Sequence, residues 1–302
     1  MEDFDNMTIE GLLKRSRKKS FFKKITQFFK KKPISYEKAL KNPLKHTFLD
    51  LNGLGLKELP ESMGLFKNLT TLFLDNNQLT NLPESIGNLN ELEWISLRKN
   101  NLTELPNSMA NLTKLRHLDL EHNQLTVLPD NIGDLEELRY LHLGNNLLKS
   151  LPESICRLKK IVVFNAASNQ LIQMPELFGE ISEIQMLNLH DNQLTSLPES
   201  IGNLKEKVSY FNISHNRLKT LPQTLHKIQF EDIYLDNNEL ETLGTLGENK
   251  YRIDQLHLNR NRLSDIPKAL LERSRLYLYA KNNCFTEEKK AELKEINPGI
   301  DL

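Results

Sequence analysis

The chain has 302 residues, with 40 Lys or Arg against 40 Asp or Glu and a formal net charge of zero. Two cysteines do not make a disulfide scaffold, and no apolar run approaches the 18 or so residues that a membrane-spanning helix needs. The neutrality is a sum of opposites: residues 1–32 hold ten Lys or Arg against four acids, or +6, so the remainder carries −6.

Residues 1–10 are acidic and polar, with no periodicity. An acidic start without an apolar stretch argues against a secretory signal, so a reducing, cytoplasmic location is expected. Residues 11–32, GLLKRSRKKSFFKKITQFFKKK, carry all ten cations of the tail and no acid. On a helix, Phe21, Phe22, Ile25, Phe28 and Phe29 fall within an arc of about 120°, with Lys23, Thr26 and Lys30 opposite. A basic helix with an aromatic face suits an anionic membrane surface or a partner's groove. Lys18, Lys19, Phe21, Phe22, Lys23, Lys24, Ile25, Phe28 and Phe29 are the membrane-binding candidates. The plainer alternatives are a solvated leader and a helix folded as a cap onto the neighbouring domain.

Residues 33–47 are expected to form an N-terminal cap. Ser35 can cap a short helix with Glu37 in its first turn, Ala39 and Leu40 give it an apolar face, and Asn42-Pro43 stops it. From residue 48 to 285 one pattern takes over. Leu118 and Leu120 stand two apart on one face of an expected strand, and a step of 23 from Leu118 reaches Leu72, Ile95, Leu141, Phe164 and Leu187 in phase. Small slips carry the phase on to Phe211, Ile233, Leu256 and Leu278. Asparagine recurs at the turn after each strand, as at Asn77, Asn123 and Asn283, with Leu54 the exception in the first copy. Its amide can both donate to and accept from turn backbone that would otherwise be buried unpaired. Nine of the twelve prolines share one register, and segments such as Glu84–Leu89 and Glu199–Leu204 are long enough for a 3₁₀ turn, not a long helix. The pattern loosens around Lys205–Lys207 and at Gly244, where a kink or a looser outer side is expected.

The repeat L-x-x-L-x-L-x-x-N-x-L resembles the leucine-rich-repeat family, in a 23-residue form with proline-containing returns. YEKALKNPLK leading directly into FLDLNG is similar to the lead-in of bacterial members. The resemblance implies an α/β leucine-rich-repeat solenoid, a curved horseshoe of about eleven repeats with a parallel concave sheet, short helical or 3₁₀ convex returns and capping helices at the ends. Residues 286–302 supply the C-terminal cap: Thr286 as N-cap, Glu287 and Glu288 at the positive helix start, and Ala291, Leu293 and Ile296 over the open end.

Catalytic signatures are missing: no phosphate loop, no H-E-x-x-H and no C-x-x-C. Cys156 reads as a small core residue, and it lies too far along the array from Cys284 to bridge it. His190, Asp191 and His215 are ligand types in adjacent copies, but three groups without a second shell do not make a metal site. Cofactors and metals are therefore not expected, nor is nucleic acid. The outward strand positions carry the stronger signal. Trp94, His117, Tyr140, Val163, Met186 and Tyr210 form one uncharged column, and the chain's single tryptophan is in it. Tyr234, His257, Tyr277 and Tyr279 continue the aromatics, while Arg98, Arg116 and Arg139 line the rim. Aromatics and arginine over a desolvatable patch have the composition of interface hot spots. The expected protein-binding set is Trp94, Arg98, Arg116, His117, Tyr140, His142, Val163, Met186, Tyr210 and Tyr234. The expected function is a non-enzymatic intracellular scaffold holding a protein or peptide on the concave face. The alternatives are a peripheral membrane adaptor anchored by the tail and a bacterial effector acting on host proteins.

Overall fold

The structure, a computed structural model, describes residues 36–302. Ser35 and the membrane-binding candidates Lys18 to Phe29 lie outside the described residues. Eleven short parallel strands, β1 (Phe48–Asp50) to β11 (Tyr277–Tyr279), form one sheet in strict chain order. Register follows the leucine phase: Leu72 pairs with Ile95, Leu118 with Leu141 and Phe164 with Leu187. Almost every connection contains a 3₁₀ turn starting just after the register proline, as at Glu84–Asn88 and Glu153–Arg157. The exception is a four-residue α-helix, Lys268–Leu271, after Pro267.

One continuous apolar core runs from Ala39 to Ile300 between the sheet and the returns. Phe164 and Ala166 are both fully buried, and the Phe164 ring packs edge-on against Phe178 at 5.1 Å, so the large-for-small exchange is filled from the convex side. Asn123 shows how the turn column works. Its Nδ2 donates to Leu97 O at 2.9 Å and Leu120 O at 3.0 Å, and its Oδ1 accepts from Leu102 N–H at 3.0 Å. One amide thus ties two adjacent repeats together through buried backbone groups. The residue before each such asparagine, as at His122 and Asn145, is left-handed, with φ between +52° and +57° along the array. Asn, Asp and His recur there because they tolerate that region best after glycine. On the convex side a Cβ on Gly87 would collide with the Ser108 backbone, so glycine sets the close approach of these two returns.

The loosening expected near Lys205–Lys207 does not break the sheet. β8 (Val208–Asn212) and β9 (Phe230–Tyr234) lengthen to five residues and gain the pair Val208–Phe230. Gly244 takes φ +49° where proline stood in other copies, and Arg273 braces this side by donating to Tyr251 O at 2.8 Å and to Asn249 O.

The ends are closed by different means. At the start, helix α1 (Tyr36–Leu40) buries Ala39 against the first repeat. At the other end the last helix, Glu287–Ile296, is capped by Thr286 Oγ1 accepting from Lys289 N–H at 3.1 Å. It buries Leu293, but Ala291 is exposed, which corrects the expectation that it covers the core. Ile300 takes that place, and the terminal residues add to the sheet edge: Ala280 N–H donates to Asp301 O at 2.7 Å and Asp301 N–H to Leu278 O at 3.0 Å. No helix among the described residues is long and apolar enough to cross a membrane.

Candidate functional site

Alternation along each strand sends two side chains to the concave face, and the second residue after the strand, as at Arg98 and Glu121, adds a third. Across the array these stack into three columns at the strand spacing of about 4.8 Å. The first is Trp94, His117, Tyr140, Val163, Met186 and Tyr210, in the register expected.

Its exposure is not what the sequence suggested. His117 has no exposed surface, Val163 and Tyr210 are 6% exposed and His142 is 3% exposed. None of these four has the open surface of a contact residue, and the expected patch is corrected accordingly. For the two histidines, stacking between neighbouring copies contributes. Trp94 lies over His117 at 4.2 Å, and Tyr140 and His142 stack on the same imidazole at 5.2 and 5.4 Å. Phe73 meets Trp94 edge-on at 5.5 Å and Phe48 at 5.6 Å. Both ring nitrogens of His117 are buried without a hydrogen-bond partner. Burial holds its pKa well below the ordinary histidine value, so it is neutral.

A second ladder occupies the other end. Tyr210 leans on Tyr234 at 5.2 Å, and Tyr234, His257 and Tyr279 stack at 4.5 and 4.4 Å. His257 keeps partners: Gln255 Oε1 at 3.2 Å and Asp236 Oδ2 at 3.8 Å. Its last strand leaves Tyr277 66% exposed. Of the expected contact set, Trp94, Arg98, Arg139 beside it, Tyr140, Met186 and Tyr234 are half-buried and Arg116 is exposed, so these retain usable surface.

Beside the first ladder lies a polar cluster that the sequence did not reveal. Arg98 Nη1 bonds Glu121 Oε2 at 2.6 Å, and Asn165 Nδ2 donates to Glu121 Oε1 at 2.7 Å. Asp75 Oδ1 accepts from Ser96 Oγ at 2.5 Å and Arg98 N–H at 2.8 Å. Asp119, 1% exposed, accepts Glu121 N–H at 3.0 Å. Burial, and next the Glu121 charge, raise its pKa to about 8, so it holds its proton at neutral pH. Burial also raises Asp75 and Asp236. The signal was present as Asp, Arg and Glu in consecutive copies of one column, but only the fold shows that they meet.

Asn165, Asn188 and Asn212 accept from the N–H two residues on, at 3.1, 3.2 and 3.0 Å. Part of the amide-rich column therefore holds the turn. His190 and His215 meet edge-on at 4.9 Å, with His190 Nδ1 2.9 Å from Ser214 Oγ. Among the described residues no group of three or more His, Cys, Asp or Glu is placed to hold a metal. Cys156 is buried and its thiol is pushed up to about 11, first by burial, so it is not a thiolate at neutral pH.

Sequence models of the family match three stretches: a leucine-rich repeat region at residues 107–192, and leucine-rich repeats at 67–125 and 183–204. With the asparagine ladder and eleven in-register strands, that settles the family. The chain is a leucine-rich-repeat protein. No curated protein matches it. Among solved structures, a leucine-rich-repeat protein of Leptospira interrogans is 26% identical over 90% of this chain and 100% of its own, with a TM-score of 0.44. The ectodomain of the Arabidopsis thaliana receptor kinase GASSHO1/SCHENGEN3, solved in complex with Casparian strip integrity factor 2, is 25% identical with a TM-score of 0.66. That match covers 84% of this chain, which spans only 38% of the receptor chain. An internalin of Listeria monocytogenes shares the fold at 17% identity and TM-score 0.58, over 87% of this chain and 88% of its own.

Proposed function

We propose that this leucine-rich-repeat chain is a non-enzymatic scaffold inside the cell that binds a protein or peptide on its concave face. The observation that carries the reading is the row of part-exposed rings along that face, Trp94 and Tyr140 stacked on the buried His117, and Tyr234 and Tyr279 stacked on His257. Ordered aromatic surface loses little side-chain freedom on binding, which is why such residues dominate interface energetics. Fold alone does not assign a partner, but this family commonly serves in protein binding.

The test is selection of peptides from a displayed random library against the full chain, followed by affinity measurement on variants. Tyr140→Ala and Tyr234→Ala should each weaken binding by roughly 30-fold, or about 2 kcal/mol. Glu84→Ala is the convex control and should change little. Glu199 does not serve as a control, because its carboxylate accepts Gln223 and Thr224 N–H at 2.9 and 3.0 Å. Selected peptides whose affinity ignores both tyrosines would move the site off the concave face.

A further inference from the structure

The third concave column sets a carboxylate against a histidine twice, and only one of the two is given a cation. In the first ladder Glu121 stands one copy before His142 and faces its Nδ1 at 3.8 Å. Arg98, one copy earlier in the column, bonds Glu121 Oε2 at 2.6 Å, and Asn165, one copy after His142, donates to Oε1 at 2.7 Å. In the second ladder Asp236 stands one copy before His257 and faces its Nδ1 at the same 3.8 Å. The register puts Ser214 and Tyr279 where Arg98 and Asn165 would be. Ser214 Oγ donates elsewhere, to Asn212 Oδ1 at 2.6 Å. Among the described residues no Lys or Arg is ion-paired with Asp236, and Lys281, farther along the column, is paired with Asp301 at 2.9 Å.

The turn does not need the Asp236 charge. Its Oδ1 accepts Asn259 N–H at 2.7 Å, and one copy on, Asn259 Oδ1 accepts Lys281 N–H at 2.8 Å, so an amide does the same work. The other oxygen, Oδ2, is the one that faces His257. Gln255 Oε1 lies 3.2 Å from His257 Nε2, which therefore carries the proton of the neutral ring and leaves Nδ1 an acceptor. Burial opposes charge on both groups, raising the Asp236 carboxyl and lowering the imidazole. Two acceptors thus face each other across 3.8 Å, and an N–H donor about 2.9 Å from each fits between them.

We infer that the concave site selects a cationic side chain of its ligand, the guanidinium of arginine or the ammonium of lysine, and seats it on Asp236 Oδ2 and His257 Nδ1 in the role that Arg98 fills for Glu121. This rests on the concave face being the binding surface, and it names what that surface recognises there. Both groups are half-buried, so a side chain can reach them from solvent, and Tyr277 on the neighbouring strand is 66% exposed. A hydrogen bond to a charged donor is roughly twice as strong as a neutral one, so the cation would add specificity to the apolar contact of the rings.

The experiment uses the full chain and peptides selected on it from a displayed random library. Replacing one Lys or Arg of a selected peptide by Gln should weaken binding to the parent at least about tenfold, as expected for a hydrogen bond to a charged group. On Asp236→Asn the same replacement should change affinity less than about threefold, with His257→Phe between the two. Asp236→Asn keeps the oxygen that accepts Asn259 N–H, and His257→Phe keeps a ring between Tyr234 and Tyr279, so both variants should stay folded. Asp75→Asn removes a carboxyl from the same column at the first ladder and should leave the tenfold effect in place. If Asp75→Asn abolishes the effect as fully as Asp236→Asn, the preference comes from the diffuse charge of the face and the inference fails. It also fails if the cation matters as much on Asp236→Asn as on the parent, or if the peptides need Tyr140 and Tyr234 but no cation, and either result leaves the binding role intact. Peptides indifferent to both tyrosines would remove the concave site and this inference together.

Discussion

The two aromatic ladders are built from the same residue types on the same sheet, yet the histidine at the centre of one is fully buried and that of the other is half-buried. In the first, His117 is wedged between Trp94, Tyr140 and His142, has no exposed surface and makes no hydrogen bond. In the second, His257 stacks between Tyr234 and Tyr279 but keeps Gln255 and Asp236 as partners. Closure depends on what neighbouring columns supply. His142 and the polar cluster wall in the first ladder, whereas the second runs out at the end of the sheet and leaves Tyr277 uncovered. The first ladder thus acts as a second core laid on the concave side, and the second offers more of its rings to solvent.

Five substitutions separate these roles, beginning with the largest expected effect. Trp94→Ala removes the stack on His117 and the edge contact with Phe73, and it should lower unfolding free energy by about 3 kcal/mol in chemical denaturation. Tyr279→Ala, its counterpart in the open ladder, should cost less than half of that.

Asp119→Asn should come next, and it depends on pH. A carboxyl raised to about 8 in the fold keeps a proton that the unfolded chain releases near 4, so stability falls as pH rises through that window and is flat above it. The amide can still accept Glu121 N–H, as Asn165 accepts Ala167 N–H in the same column. The variant should therefore match the parent near pH 4 and gain on it progressively as pH rises to 8. Equal melting profiles for the two proteins from pH 4 to 8 would show that Asp119 is ionised in the fold.

His117→Phe keeps a ring in the stack and removes two orphaned nitrogens, with an expected gain of about 1 kcal/mol. The depressed histidine also carries a sign. Its folded pKa lies below the unfolded value, so it contributes stability above that value that is lost as pH falls below about 6.5. The substitution should blunt that acid loss. Tyr277→Ala, at an open position, should stay within about 0.5 kcal/mol of the parent.

The strand phase, the asparagine column and the 3₁₀ returns were legible because each is repeated within one copy of about 23 residues, and the repetition itself is the signal. The concave columns were legible in register, since Trp94, His117 and Tyr140 do pair as expected. Exposure was not legible. Whether His117 is open depends on rings one copy away on either side, and alternation along a single strand says nothing of those. The buried acids were missed for the same reason: Asp75 and Arg98 meet only after a full repeat closes. Gly244 and the extra residue near Lys207 suggested a kinked or looser outer side, but a strand can absorb such changes by lengthening, as β8 and β9 do. The final addition of Asp301 to the edge of β11 had no sequence signal beyond Ile300 being apolar.

The binding role of the concave face is tested most directly by the chain's own tryptophan. Full-length protein is titrated with a library-selected peptide while Trp94 emission and an independent binding signal are followed together. Emission should shift, or quenching should fall, with the same midpoint as binding, because the peptide lies over the ladder that contains Trp94. Saturable binding that leaves both Trp94 signals unchanged, with the same affinity for Tyr140→Ala and Tyr234→Ala, would contradict a concave site.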